Sequence, residues 1–146
     1  MKRVIVSGYF NPLHGGHLDM IDDAASMGEW LIAIVNNDKA QLLKKGKIIL
    51  DEGNRMRLIG ALRAVNEVVL GIDEDRTVIK SLYFIAAKYP DDALVFANGG
   101  DRSPDQDLPP EESACKELGI KMVYGVGGGN KADSSTRINQ ATGHEK

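Results

Sequence analysis

The sequence predicts an α/β fold in which parallel strands alternate with helices, and three observations predict it. Short apolar, β-branched runs such as RVIVSG, EWLIAIVN and DALVFAN recur, with the length and density of strands buried on both faces. Between them lie segments of helical periodicity, HLDMIDDAASMG among them. Gly, Pro and Asn fall between the two kinds of segment, where turns are needed.

In chain order, RVIVSG is a strand ending at Gly8. The helix that follows places Leu18, Ile21 and Ala25 at helical spacing and has Gly28 as its stop. EWLIAIVN is the second strand, and the polar NDKAQLLKKGK after it reads as a loop or broken helix. From Asp51 a helix runs through EGNRMRLIGALRAV with Leu58, Ile59 and Leu62 as its apolar stripe, and EVVLGI is strand three. RTVIKSLYFIAAKY reads as helix and DALVFAN as strand. After the breaker run SPDQDLPP come a helix, EESACKELG, and a fifth strand, IKMVYGV. A glycine-rich loop, a short helix from about Ser134 and a fraying tail over about 141–146 complete the chain. Right-handed crossovers turn this alternation into a Rossmann-like doubly wound sheet of five parallel strands, order 3-2-1-4-5, with helices on both faces. Residues 1–146 then form one domain, and ligands are expected outside the carboxyl ends of the strands.

Composition narrows the function. With 42% hydrophobic residues, 27% charged residues and a net charge of -3, the chain is an ordinary globular one, without the cationic excess that binds nucleic acid non-specifically. Cys115 is the single cysteine, so no intrachain disulfide is possible. The apolar run in MKRVIVSGYF is too short for a secretory or membrane segment. The expectation is a cytoplasmic protein with neither a nucleic-acid nor a membrane partner.

The loop after strand one, GYFNPLHGGHLDM, holds two of the three histidines around a Gly-Gly pair. Asn11 and Pro12 make a turn, Gly15 and Gly16 let a ligand approach the backbone, and the helix behind directs free N–H groups and partial positive charge into the same space. That is an anion site. His14 and His17, on successive turns, have the donors to bond non-bridging phosphate oxygens. Three other readings stand beside this one. Zinc would need ligands that His-x-x-His, the tail His144 and a lone Cys115 do not assemble. The imidazoles could instead be structural hydrogen-bonders in a tight loop, or an acid/base pair for another chemistry. The late loop GVGGGN has Asn130 where a dinucleotide fingerprint needs its third glycine, and no P-loop motif occurs. Gly127 to Gly129 therefore read as flexibility beside the site.

GYFNPLHGGH resembles the HxGH signature of the cytidylyltransferase-like nucleotidyltransferases, the glycerol-3-phosphate cytidylyltransferases and the adenylyltransferase domain of the ADP-heptose pathway in particular. MGEWLIAIVNND, NRMRLIGALRAVNEVV, NGGDR and DSSTRI follow in the family's order over nearly the whole chain. The resemblance implies that His14 and His17 hold a triphosphate and stabilise the transition state, with a mobile cation from Lys44 or Lys45. It implies that Arg55 and Arg63 bind substrates and leaving group. Gly8, Tyr9, Phe10, Asn11 and Gly16 would line the nucleotide, with Asp101 near it, and Ser134, Ser135 and Thr136 would hold the β- and γ-phosphates. If Arg55 and Arg63 share one helix they lie about 80° apart around it, so one surface can hold both, while Arg57 faces solvent.

Asn11 and Asn66 are amides where the cytidylyltransferases usually have Asp, which removes charge near any Mg²⁺. The expected reaction moves CMP or AMP from CTP or ATP to the phosphate of a small phosphorylated alcohol or sugar, of glycerol phosphate or heptose phosphate type, releasing pyrophosphate. Mg²⁺ is expected to bridge phosphate oxygens with few protein ligands. Flavin mononucleotide or phosphopantetheine as acceptor, and a non-catalytic nucleotide-binding module, are the alternatives. The relatives imply a homodimer.

Overall fold

Val4, Ile5 and Val6 follow one another in the sequence, and a strand sends successive side chains to opposite faces. All three are fully buried, so both faces of their strand are covered. They belong to β1 (Lys2–Gly8), the central strand of a five-stranded sheet. β2 (Trp30–Val35) and β3 (Glu67–Leu70) lie on one side of it, and β4 (Ala93–Gly99) and β5 (Lys121–Val126) on the other. Every neighbouring pair is parallel and the order is β3-β2-β1-β4-β5, as expected from the sequence. The computed structural model describes residues 1–99 and 110–127, apart from the side chain of Lys45. Asp101, Ser134, Ser135, Thr136, the helix expected from Ser134, most of the breaker run and the expected fraying tail lie outside the described residues.

Two cores sandwich the sheet. On one face Val4, Val6, Leu31, Ala33 and Val35 meet Ile21 and Ala24 of α1 (Gly15–Ala25) and Ile59 of α3 (Glu52–Gly60). On the other, Ile5, Ile32, Ile34 and Phe96 meet Leu82 and Ile85 of α4 (Ile79–Lys88) and Cys115 of α5 (Glu112–Leu118). Each such aliphatic side chain contributes about 1.5–3 kcal/mol relative to exposure. Burial also pushes the Cys115 thiol up to about 11, with the carboxylates of Glu111 and Glu112 adding to the effect, so it carries little thiolate.

Several local expectations are corrected. NDKAQLLKK is not a broken helix but α2 (Asp38–Lys45), capped by the Asn37 side chain on the Ala40 N–H and ended by Gly46 at φ 74°. α3 stops at Gly60, five residues short of the expected end, because Ala61 and Leu62 tighten into a turn that delivers Asn66 to Leu31 of β2. Arg63 is therefore not on the same helix as Arg55, and the shared-face argument does not apply. In α1 the inward positions are Ile21 and Ala24, while Leu18 is exposed. Gly28 does not stop that helix, which is capped at Ser26; it is small because a Cβ there would lie 2.8 Å from the Lys2 carbonyl oxygen.

The amino ends of the strands are tied by a polar network. Glu67 accepts from Trp30 Nε1 at 3.0 Å, from Lys88 Nζ at 2.8 Å and from the Tyr89 hydroxyl. Arg3 donates to Asp92 at 2.7 Å and lies 3.7 Å from the centroid of the Tyr89 ring. Burial alone would raise the Glu67 carboxyl, but the hydrogen bonds from Lys88, Tyr89 and Trp30, with the Lys88 charge, hold it below its ordinary value. This network fastens the end of the sheet opposite the carboxyl ends of the strands.

Candidate active site

In this strand order the winding reverses between β1 and β4, and α1 and α5, which follow them, go to opposite faces. In sheets of this kind ligands bind at that point, outside the carboxyl ends of the strands, and residues 9–14 leave β1 there. Gly8 ends β1 beneath the Phe10 ring: a Cβ on Gly8 would stand 2.9 Å from Phe10 Cζ. Phe10 has a φ of 51°, a conformation that costs a non-glycine residue about 1–3 kcal/mol. Its fully buried ring holds it there and meets His17 edge-on, with centroids 5.0 Å apart. His17 in turn stacks on His14 at 3.8 Å with 25° between the rings. Gly8, Phe10, His17 and His14 thus form one supported stack.

His14 is the N-cap of α1. Its Nδ1 accepts the Gly16 N–H at 3.0 Å, and His17 Nδ1 accepts the His14 N–H at 3.3 Å, closing a reciprocal capping box built from two imidazoles. An Nδ1 that accepts carries no proton, so in the neutral ring the proton sits on Nε2. The structural and chemical readings of these residues are therefore compatible: one nitrogen caps the helix and the other is a donor. No acidic residue lies in the first turn of α1, so nothing within that turn offsets the partial positive charge of the terminus.

Arg55 is a different case from the one the resemblance implied. It is fully buried and spends four of its five N–H groups within the protein: Nε on the Leu50 carbonyl at 2.9 Å, Nη1 on the Tyr9 and Asn36 carbonyls at 2.8 and 2.6 Å, and Nη2 on Asp38 Oδ1 at 2.7 Å. It braces the loop after β1, the end of β2, the start of α2 and the start of α3 against one another. The structure places it behind the site as a support. Asn11, 5% exposed, is also a support, with Oδ1 accepting the Ile49 and Leu50 N–H groups at 3.1 and 2.9 Å. Asp38, Asn36 and Leu50 complete this frame without having been expected from the sequence. Asp38 follows a capping Asn in the NND triplet, and nothing in the pattern pairs it with an arginine 17 residues on.

Lys44 is brought to the same loop. It is exposed on the last turn of α2, and its ammonium stands 4.3 Å from the centroid of the Tyr9 ring. Arg63 is exposed in the turn after α3 and Arg57 is exposed as expected. The Asn66 Oδ1 accepts the Leu31 N–H at 2.8 Å, a structural use. Gly127, expected to be flexible, packs on α1 instead: a Cβ would meet Met20 Cα at 2.9 Å, and its N–H donates to Asp23 Oδ2 at 2.8 Å.

These residues do not compose a magnesium cage. The Asn11 oxygen takes two backbone N–H groups, the Asp38 carboxylate holds Arg55, and no group of three or more His, Cys, Asp or Glu among the described residues is placed to hold a metal. Among the described residues, too, no helix is long and apolar enough to cross a membrane.

Known proteins resemble this chain in sequence and in fold. The chain is 35% identical over 121 residues to a FAD synthase of Ferroglobus placidus, covering 83% of this chain and 72% of that one. It is 35% identical over 105 residues to the bifunctional protein HldE of Gluconobacter oxydans, covering 66% of this chain and 22% of that protein. The crystal structure of a lipopolysaccharide core biosynthesis protein from Thermoplasma volcanium superposes with a TM-score of 0.68 at 29% identity, over 91% of this chain and 99% of that one. The family model described as Cytidylyltransferase-like matches residues 5–138, essentially the whole sheet and its helices, and the chain belongs to the cytidylyltransferase-like family of nucleotidyltransferases.

Proposed function

We propose that this chain transfers AMP from ATP to the phosphate of flavin mononucleotide, releasing pyrophosphate. The observation that carries the transfer itself is the stacked His14–His17 pair on an α-helix N-terminus at the switch point of the sheet, each ring tied back through Nδ1. The flavin acceptor is supported by the FAD synthase relative, since FAD is flavin mononucleotide carrying an AMP. A sugar phosphate is the second reading, favoured by the HldE relative and the lipopolysaccharide core biosynthesis structure.

The chemistry needs no protein nucleophile. A phosphate monoester has a second pKa near ~6 and is largely a dianion at neutral pH, so one of its oxygens attacks the α-phosphorus directly. The new bond forms between that oxygen and the α-phosphorus, the bond from the α-phosphorus to the β-bridging oxygen breaks, and the electron pair leaves with pyrophosphate. The protein has to hold two anions in line and offset the charge that develops. In this reading the Nε2–H donors of His14 and His17 and the N–H groups of the α1 N-terminus contact phosphate oxygens, and Lys44 supplies the cation. Arg55, Asp38 and Asn11 keep that frame rigid from behind. Gly8, Tyr9, Phe10 and Gly16 shape the edge of the site, while Asp101, Ser134, Ser135 and Thr136 are proposed to face it from beyond the described residues.

The test is pyrophosphate release with Mg²⁺ present, across ATP, CTP, GTP and UTP, against flavin mononucleotide, heptose 1-phosphate, glycerol phosphate, phosphocholine and phosphopantetheine. Release with ATP and flavin mononucleotide, and FAD as the second product, is the expected result. Release only with a sugar or glycerol phosphate replaces the acceptor and keeps the mechanism. Nucleotide binding with no release from any pair refutes this set of acceptors and favours a non-catalytic module.

A further inference from the structure

Ile72 is 52% exposed, and it stands in the connection that leaves the carboxyl end of β3. Among the described residues it is the one large apolar side chain so exposed in a connection after a strand; apart from Met1 the others, Leu18, Leu42, Leu43, Leu58, Tyr83 and Phe84, lie on helices. A single exposed isoleucine means little by itself. The loop that carries this one, however, is held tightly. The Gly71 N–H donates to the Val35 carbonyl at 2.8 Å and the Ile72 N–H to Ser81 Oγ at 3.1 Å. The Asn37 carboxamide donates to the Gly71 and Asp73 carbonyls at 2.9 and 2.7 Å. The buried Asp73 carboxylate accepts the Lys80 and Ser81 N–H groups at 2.7 and 3.1 Å and the Ser81 hydroxyl at 2.6 Å. The polar groups on both sides of Ile72 are thus spent on the frame, and a stiff β-branched side chain is left facing outward from a fixed backbone.

Resting on the transfer reading above, we propose that Ile72 is a specificity-determining residue for the acceptor: its exposed face packs against the ring of a flavin mononucleotide whose phosphate lies at the start of α1. The sheet register sets the level. Gly8, Val35 and Leu70 form one row across β1, β2 and β3, so Ile72 leaves the sheet at the same height as the loop that leads to His14. Neighbouring strands lie about 4.8 Å apart, which puts the end of β3 about 10 Å from the end of β1. In the transfer reading Asp101, Ser134, Ser135 and Thr136, which follow β4 and β5 in the chain, face the nucleotide, and the acceptor is left the side of β1 that holds β2 and β3. Flavin mononucleotide joins its phosphate to a flat, largely apolar ring through a five-carbon chain that spans such a distance. A sugar 1-phosphate joins its ring directly to a phosphate oxygen, and an aliphatic side chain gives its hydroxyl groups no partner. Covering apolar surface that is already ordered in the free protein leaves little ordering cost to fall on binding. The contact is remote from the reacting phosphorus, so it acts on acceptor affinity and spares the chemical step.

Steady-state kinetics of the intact chain with ATP and flavin mononucleotide test this. Ile72→Ser is expected to raise KM for flavin mononucleotide about three- to tenfold, the factor for covering roughly half of an aliphatic side chain, with kcat and the KM for ATP within about twofold of wild type. Ile72→Val, which keeps an apolar face, is expected to restore most of the loss. Ribitol 5-phosphate, which has the chain and the phosphate without the ring, serves as a competitive inhibitor against flavin mononucleotide, and its inhibition constant is expected to be the same for wild type and Ile72→Ser. Ile72→Thr, which keeps the β-branch, replaces serine should Ile72→Ser lower the unfolding midpoint. The proposal is overturned if the serine variant keeps the wild-type KM for flavin mononucleotide, if valine loses as much as serine, if the KM for ATP rises in step, or if ribitol 5-phosphate weakens as much as the flavin does. Wild-type protein that releases no pyrophosphate with flavin mononucleotide overturns the acceptor reading and this proposal with it; wild-type turnover of flavin mononucleotide with an indifferent Ile72→Ser overturns this proposal alone.

Discussion

Replacing Arg55 by methionine separates a brace from a catalyst. The substitution keeps much of the stem's volume and removes four donated hydrogen bonds, leaving the Leu50, Tyr9 and Asn36 carbonyls and the Asp38 carboxylate without their donors. Removing one partner of a buried ion pair costs about 3–5 kcal/mol. The Asp38 side chain is 29% exposed, so water can partly solvate it, and the lower end, about 3 kcal/mol, applies. At about 2–4 °C per kcal/mol for a domain near this size, the unfolding midpoint should fall by about 6–12 °C. Circular dichroism melting, with urea denaturation to obtain the free energy, measures it. Asp38→Asn keeps a neutral acceptor and should lose less, about 1–2 kcal/mol. In Arg55→Met/Asp38→Leu neither charge is stranded, so the loss should be smaller than the sum of the two single losses. The reasoning is refuted if Arg55→Met melts within about 2 °C of wild type while turnover collapses, since Arg55 would then act on the reactants and not through the frame.

His14→Asn offers a sharper test of the histidine pair than alanine does: asparagine is a strong N-cap and keeps an acceptor for the Gly16 N–H, but it lacks Nε2. Its unfolding midpoint should stay near wild type while pyrophosphate release falls at least ~10-fold, about 1.4 kcal/mol of barrier, and turnover above that level removes His14 from the clamp. Glu67 titrates below its ordinary 4.5, so the folded state binds fewer protons than the unfolded chain near that pH. Its stabilisation is complete above that value and is lost as pH falls through the lowered one; Glu67→Gln should cost about 1–3 kcal/mol at neutral pH and flatten the acid limb of a melting-versus-pH curve. An unchanged acid limb would remove Glu67 as its source. Gly127→Ala combines a φ of 86° with a Cβ 2.9 Å from Met20 Cα, and should destabilise by about 1–3 kcal/mol in urea titration; a neutral result would show that the contact with α1 is not required.

What the sequence made legible follows from the reach of each signal. Val4 to Val6 announce a strand buried on both faces because burial needs only side-chain type and a period of two, and five such runs separated by helices fix the sheet and its order. The His14–His17 pair was visible for the same reason, since Gly, Pro and polar residues at short spacing mark a turn into a helix end. The burial of Arg55 was not legible because its surroundings are assembled from distant parts of the chain: its partners at residues 9, 36, 38 and 50 meet only once β1, β2, α2 and α3 are in place. An arginine on an amphipathic helix reads as a surface cation until the fold supplies three carbonyls and a carboxylate to bury it against. The early end of α3 has the same origin, because the tertiary demand that Asn66 reach Leu31 overrides a helical pattern that continues to Val65. The two cases are one: local pattern describes what a segment prefers, and the loops at the carboxyl edge are shaped by what the neighbouring segments require of it. That is also why the support of a site on this fold is harder to read than its reactive groups, and why Asp38, unsignalled by any motif, is as informative a target for mutation as either histidine.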